Sequence, residues 1–214
     1  MKLMLCYTPI ACSLVPLISL YESGADFAVK PINFGKGEQM SPEYLRLNPK
    51  HKVPVLLIDG KPLTENVAIA VWMTRAFPNA GILPADSDTE VRAISIMAWC
   101  ASGIHPNLTR VFAPAKFCDT AGSEVSVRRL AATELDHVFG IADDMLVGRE
   151  YFFDQWCAAD SHFFWAWRRA ITLGLDFPKY RNCAAHCARM QQRPAVGRAL
   201  DYEKQVLAEF AKAA

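Results

Sequence analysis

Lys2-Leu3-Met4-Leu5-Cys6-Tyr7-Thr8-Pro9-Ile10-Ala11-Cys12-Ser13-Leu14-Val15-Pro16-Leu17-Ile18-Ser19-Leu20-Tyr21 is the stretch on which the fold turns. Its first part, Lys2 to Tyr7, is a short apolar run of strand length. Thr8-Pro9-Ile10-Ala11 then reads as a turn. Leu14, Leu17, Ile18 and Tyr21 recur at helical spacing, and Gly24 supplies the stop. A strand, a tight turn and a helix in so few residues open an α/β layer.

The alternation continues outward from there. Phe27 to Ile32 reads as a second strand, with Phe27, Val29 and Pro31 on one face. Ser41-Pro42-Glu43 starts a short helix through Leu47, with serine as cap and proline in the first turn. Val53 to Ile58 is a third strand, and Asp59-Gly60 turns it into a short fourth at Lys61 to Leu63. A helix follows from about Glu65 to Ala76. The order β-α-β-α-β-β-α places the first two strands parallel and adds an antiparallel hairpin at the edge.

Phe77 to Asp88 holds two prolines, a glycine and no helical period, so it reads as a linker. Beyond it the pattern is helical: Glu90 to Phe117, Glu124 to Leu146, Ala158 to Leu173, Tyr180 to Gln192 and Ala195 to Lys212. The expected division is residues 1–77, a linker at 78–88, and an all-helical domain at 89–214.

The bulk composition is consistent with two small domains in 214 residues. A net charge of +1 argues against a nucleic-acid partner. Ala93 to His105, the longest run free of charge and proline, is too short to span a bilayer. Met1 to Leu5 lacks the features of a signal peptide and reads as strand, so a cytoplasmic location and no membrane partner are expected. The seven cysteines are odd in number and include no CxxC pair, so most read as small buried hydrophobes.

Cys12 stands apart because it follows a strand and a proline turn at the first helix's N-terminus. Unpaired N–H groups and the helix dipole favour an anion there, which would lower a thiol's pKa. The alternative is an inert buried cysteine. Val53-Pro54 opens a strand where proline is unwelcome. A cis bond would turn the Val53 N–H and C=O outward for an added peptide strand; a trans proline would merely begin the strand. Glu65 and Asn66 open a helix and suit an α-amino acid group, one accepting from the ammonium and the other donating to the carboxylate. They also read as an ordinary capping pair. Cys183, His186 and Cys187 share a helix face, but no fourth ligand is evident, so no metal is expected. Phe163, Phe164, Trp165 and Trp167 read as packing. Arg128-Arg129 and Arg168-Arg169 read as solvated faces or ion-pair partners.

These features in order resemble the glutathione transferase superfamily. Tyr7 to Pro16 is most similar to the bacterial beta class, and Ala101-Ser102-Gly103-Ile104-His105 fits that class's histidine near the same sulfur. The resemblance implies a thioredoxin-like N-terminal domain followed by an all-helical domain. It implies glutathione as substrate, activated for attack on small electrophiles in a detoxifying reaction, with thiol-disulfide exchange as a further activity. Catalytic roles fall to Cys12, His105 and Ser13, and Tyr7 stands where related classes place a hydroxyl. Ala11, Phe34, Lys52, Val53, Pro54, Glu65 and Asn66 would form the glutathione groove. A homodimer is implied as well. Asn66 stands where serine or glycine is usual, His51 replaces a common glycine, and Pro106 replaces a residue that is often basic. Cys157-Ala158-Ala159-Asp160 stands in place of a Ser/Thr capping box, which weakens that helix start by about 1 kcal/mol. Two other functions share the resemblance: a non-catalytic binding or regulatory module, and a glutathione-dependent isomerase of the zeta type. The zeta Ser-Ser-Cys run is not matched by Ile10-Ala11-Cys12.

Overall fold

A computed structural model describes residues 1–212 of the chain. Four strands, β1 (Leu3–Tyr7), β2 (Phe27–Pro31), β3 (Val55–Ile58) and β4 (Lys61–Thr64), form one sheet in the order β2-β1-β3-β4. β1 and β2 run parallel, with Leu5 opposite Val29; β3 is antiparallel to both β1 and β4. The helices α1 (Leu14–Ser23), α2 (Pro42–Leu47) and α3 (Asn66–Ala76) complete the thioredoxin-like β-α-β-α-β-β-α order. The third strand begins at Val55 rather than Val53, because proline at position 54 gives no ladder donor.

Strand alternation splits β1 between two faces. Leu3, Leu5 and Tyr7 point into the main core with Leu14, Leu17 and Ile18 of α1. Cys6 points the other way, to Ile32, Tyr44, Val53 and Val55. Ser41 caps α2 by accepting from the Tyr44 N–H, and Pro42 sits in its first turn. Gly24 ends α1 at φ 66°, where its N–H reaches the Tyr21 carbonyl.

The second half is helical: α4 (Ser87–Trp99), α5 (His105–Phe112), α6 (Glu124–Met145), α7 (Ala158–Thr172), α8 (Arg181–Gln191) and α9 (Pro194–Lys212). α4 starts inside the expected linker, because the Asp86 side chain accepts from the Thr89 N–H and caps it. The long helix expected from Glu90 to Phe117 runs on to Phe112 only, and it widens on the way into a π turn at Cys100–Ile104. Pro106 accounts for the widening: it has no N–H for the Ser102 carbonyl, and its ring would clash with that carbonyl in a regular helix. Asn107 Nδ2 donates to the Gly103 carbonyl at 2.8 Å, which ties α5 to the wider turn. A Cβ at Gly103 would lie 2.8 Å from Trp99 Cδ1, so glycine lets the indole pack there. Among the described residues no helix is long and apolar enough to cross a membrane.

α1 packs against α7 and α9, which ties the sheet layer to the helical half. α7 lies at the centre, buried on nearly every face. Its start rests on Asp160, which is fully buried. One oxygen accepts from the Cys157 N–H at 2.9 Å; the other meets the Phe152 N–H and His186 Nε2, both at 3.0 Å. Removing that charge leaves buried donors unmet. Asp160→Asn is therefore expected to lower unfolding stability by about 3 kcal/mol in urea titrations. Cys157→Ser, which restores a strong cap, should raise it by about 0.5–1 kcal/mol. Equal midpoints for the three proteins would contradict this account of the helix start.

Candidate active site

The turn between β1 and α1 carries Cys12. Thr8 anchors its start: Oγ1 donates to the Ile32 carbonyl at 2.7 Å. Ser13 closes it, with Oγ accepting from the Thr8 N–H and donating to the Thr8 carbonyl, both at 3.1 Å. Between them Ile10 sits at φ 65°. A β-branched residue in that region is strained by about 1–3 kcal/mol and persists only where its surroundings impose it.

The helical half supplies that constraint. Glu203 of α9 is 4 % exposed. Its Oε2 accepts from the Ile10 N–H at 2.8 Å and from the Tyr7 hydroxyl at 3.3 Å. Its Oε1 takes Arg168 Nη2 at 2.8 Å. Trp165 Nε1 of α7 donates to the Ile10 carbonyl at 3.0 Å. The N–H and the carbonyl of one strained residue are thus both held by side chains from the other half of the chain.

Cys12 is buried, and its Sγ donates to the Val53 carbonyl at 3.5 Å. Burial pushes the thiol up to about 12, against the smaller lowering effects of the Asn66 amide and the residue's own N–H. The lowered thiol expected for a helix N-terminus is therefore not found. N–H groups of a helix start are worth about 1 kcal/mol, and lost hydration outweighs them here. The sulfur is a neutral donor.

Val53 lies on the other side of that contact. The Val53–Pro54 bond is cis. Tyr44 Oη and Asn48 Nδ2 both donate to the Lys52 carbonyl at 2.7 Å, holding the backbone just before it. His51 occupies the left-handed region at φ 48°, as expected of a residue standing at a glycine position. Asn66 Nδ2 donates to the Cys12 carbonyl at 3.2 Å, while Asn66 Oδ1 is buried without a partner. Glu65 is exposed at φ 72°, ψ 125°, and its carboxylate pairs with Lys50, which also donates to Thr64 Oγ1 at 2.8 Å.

His105 begins α5 beside the turn. Its ring packs edge-on against Trp165, with centroids 4.6 Å apart. Burial first, then the charges of Lys52 and Arg169, hold it down to about 4, opposed by Glu65. It is neutral at neutral pH and offers one donor and one acceptor.

The fold therefore joins Cys12 to Val53 and to Asn66 by hydrogen bonds, and brings His105 within reach of the charges of Lys52 and Glu65. Ala11 packs on the small cluster of Cys6, Ile32, Tyr44, Val53 and Val55 beneath it. Phe34 stands exposed on the turn after β2. Ser13 is fully buried and committed to Thr8, which makes it a latch of the turn rather than a partner of the sulfur. Tyr7 is likewise engaged, and its hydroxyl is raised by burial and Glu203. Cys183 donates to the Phe139 carbonyl, and His186 faces Asp160. No group of three potential metal ligands occurs among the described residues.

Glu203, Trp165 and Lys50 escape a reading of the residues alone. One signal was available: Glu203 lies in line with Val196, Ala199 and Val206 on a helix, a lone carboxylate on an apolar stripe. Trp165 is hidden inside an aromatic run whose other members are packing residues.

The state of the thiols has a direct chemical readout. Cys118 is held low by hydrogen bonds from Ser123 and Thr120. Iodoacetamide at pH 7.5 should label it first, and Cys12 only slowly. Labelling of Cys12 should rise about tenfold per pH unit to pH 10 without a plateau, because its thiolate appears only near pH 12. A plateau near pH 7, read by peptide mass mapping, would contradict the buried-donor assignment.

Comparison with known proteins shows the family and the fold. The family profile described as "Glutathione S-transferase, N-terminal domain" matches residues 6–75. Glutathione S-transferase GstA of Escherichia coli O157:H7 is 32% identical over 203 residues, covering 92% of this chain and 96% of its own. A bacterial beta class glutathione S-transferase of Sphingomonas chungbukensis is 32% identical, with TM-score 0.82, covering 95% of this chain and 98% of the other. A sphingomonad glutathione S-transferase, solved in complex with glutathione, is 31% identical with TM-score 0.82, covering 95% and 99%. On the near full-length match to GstA, together with the shared fold, the chain belongs to the glutathione S-transferase family.

Proposed function

We propose that the protein is a glutathione transferase that binds glutathione as an extended peptide against Val53 and activates its sulfur beside Cys12. The observation that carries this reading is the Cys12 Sγ contact to the Val53 carbonyl at 3.5 Å. A groove strand and a sulfur-contacting thiol share one backbone acceptor. The cysteinyl N–H of glutathione takes that carbonyl, as an added strand does. Cys12 is then released to donate its S–H to the incoming sulfur, which stabilises a glutathione thiolate without Cys12 ionising.

The remaining contacts follow from charge. Glu65, already holding the Lys50 ammonium, accepts the ammonium of the γ-glutamyl end. The first N–H groups of α3, at Asn66 and Val67, take the carboxylate beside it. Ala11, Phe34 and Lys52 line the groove. Residues 1–77 are thus the glutathione-binding domain in this proposal, and residues 89–214 form the electrophile side. A neutral donor at the sulfur favours conjugation over disulfide exchange, since exchange needs a thiolate. A homodimer belongs to the same proposal: Val91 of α4 and Val125 and Leu130 of α6 are more than half exposed.

Calorimetric titration tests the groove. Glutathione should bind with evolved or absorbed heat, and Glu65→Gln should weaken it about tenfold or more. No binding to the unmodified protein would end the proposal. Turnover tests the sulfur contact. Cys12→Ala should cut kcat/KM for conjugation about 10- to 100-fold and raise the pKa of bound glutathione, read from thiolate absorbance. Unchanged rates and an unchanged pKa would remove Cys12 from the mechanism.

A further inference from the structure

Arg168 and Arg169 are neighbours in sequence and opposite in circumstance. Arg168 is paired with Glu203. Arg169 has no carboxylate within ion-pair distance and no side-chain hydrogen bond among the described residues. Its guanidinium lies over the Phe112 ring, 4.6 Å from the centroid. Burial lowers its pKa, so it has given up hydration without receiving an anion in return.

Its position gives that unmet charge a role. Trp165 and Arg169 are one turn apart on the same face of α7. Trp165 meets His105, and Arg169 meets Phe112, two turns further along α5. The first pair adjoins the Ile10 turn through Trp165 Nε1. At 1.5 Å per residue, the second pair lies about 6–10 Å beyond it, roughly the length of a substituted benzene ring. Phe112 is 59 % exposed, so apolar surface remains beside the guanidinium that lies over its ring. The charges acting on His105 are two cations, Lys52 and Arg169, and one carboxylate, Glu65, which is held by Lys50.

We infer that Arg169 is the anion-recognition residue of the electrophile subsite, selecting electrophiles that carry a carboxylate about one aromatic ring from the carbon attacked. The planar guanidinium, oriented by the Phe112 ring beneath it, matches a carboxylate in two parallel hydrogen bonds, while the exposed edge of Phe112 gives apolar contact to the ring that bears it. The inference rests on the glutathione groove proposed above and deepens it by naming the class of second substrate.

Two glutathione conjugates separate the inference from that groove: S-benzylglutathione and S-(4-carboxybenzyl)glutathione, titrated calorimetrically into the full chain. The unmodified protein should bind the carboxylated conjugate at least tenfold more tightly. The ratio of the two affinities should fall to about one in Arg169→Gln and to an intermediate value in Arg169→Lys, which keeps a point charge without the fork. If Arg169→Gln does not fold, judged by circular dichroism, the Lys variant alone decides. Equal affinities in the unmodified protein overturn the inference and leave the groove intact. A preference that survives loss of the guanidinium also overturns it. Failure of glutathione and both conjugates to bind overturns the groove and the inference together.

Discussion

Everything at the site depends on a buried carboxylate holding one strained residue, Ile10. Glu203 accepts the Ile10 N–H from inside the core while Arg168 neutralises it. Ile10 does not stay at φ 65° by its own preference. The Glu203 contact on the N–H and the Trp165 contact on the carbonyl offset that strain, the charged bond being worth about 1.5–3 kcal/mol and the neutral one about 0.5–1.5 kcal/mol. The turn they shape sets where Cys12 stands. The helical half therefore holds the backbone geometry of the turn between β1 and α1.

The same constraint explains the chemistry of Cys12. Held down in the core and covered by Val53, the sulfur has too little hydration to ionise, and it acts as a donor to the nearest acceptor. His105 is kept neutral for related reasons, burial and two nearby cations. Around the sulfur the site thus presents polar groups that are poised but uncharged, with the part-buried Glu203–Arg168 pair behind the turn and the exposed Glu65–Lys50 pair on the outside. A peptide with charged ends and a central thiol suits that distribution.

Much of this was legible in the residues. The strand, turn and helix around Cys12, the Ser41 cap, the Val53-Pro54 step and the Glu65-Asn66 helix start were all local signals, and local signals map onto local geometry. Less was legible where distant elements decide. The turn's hydrogen bonds satisfy Ser13 internally, so its hydroxyl is unavailable although its position in the chain invites a catalytic role. Desolvation reversed the expected direction for the Cys12 thiol, and burial is a tertiary property that a helix N-terminus cannot reveal. Pro106 is accompanied by a widened turn in a helix whose apolar period continues through it. Glu203 and Ile10 are 193 positions apart, and only the packing of α9 on α1 brings them together.

A crystal structure of the protein with glutathione tests the central claim most directly. The account predicts the cysteinyl N–H on the Val53 carbonyl, with Cys12 Sγ turned from that carbonyl to the glutathione sulfur while Ile10 remains held by Glu203. Glutathione bound elsewhere, or in the groove with Cys12 still donating to Val53, would contradict it.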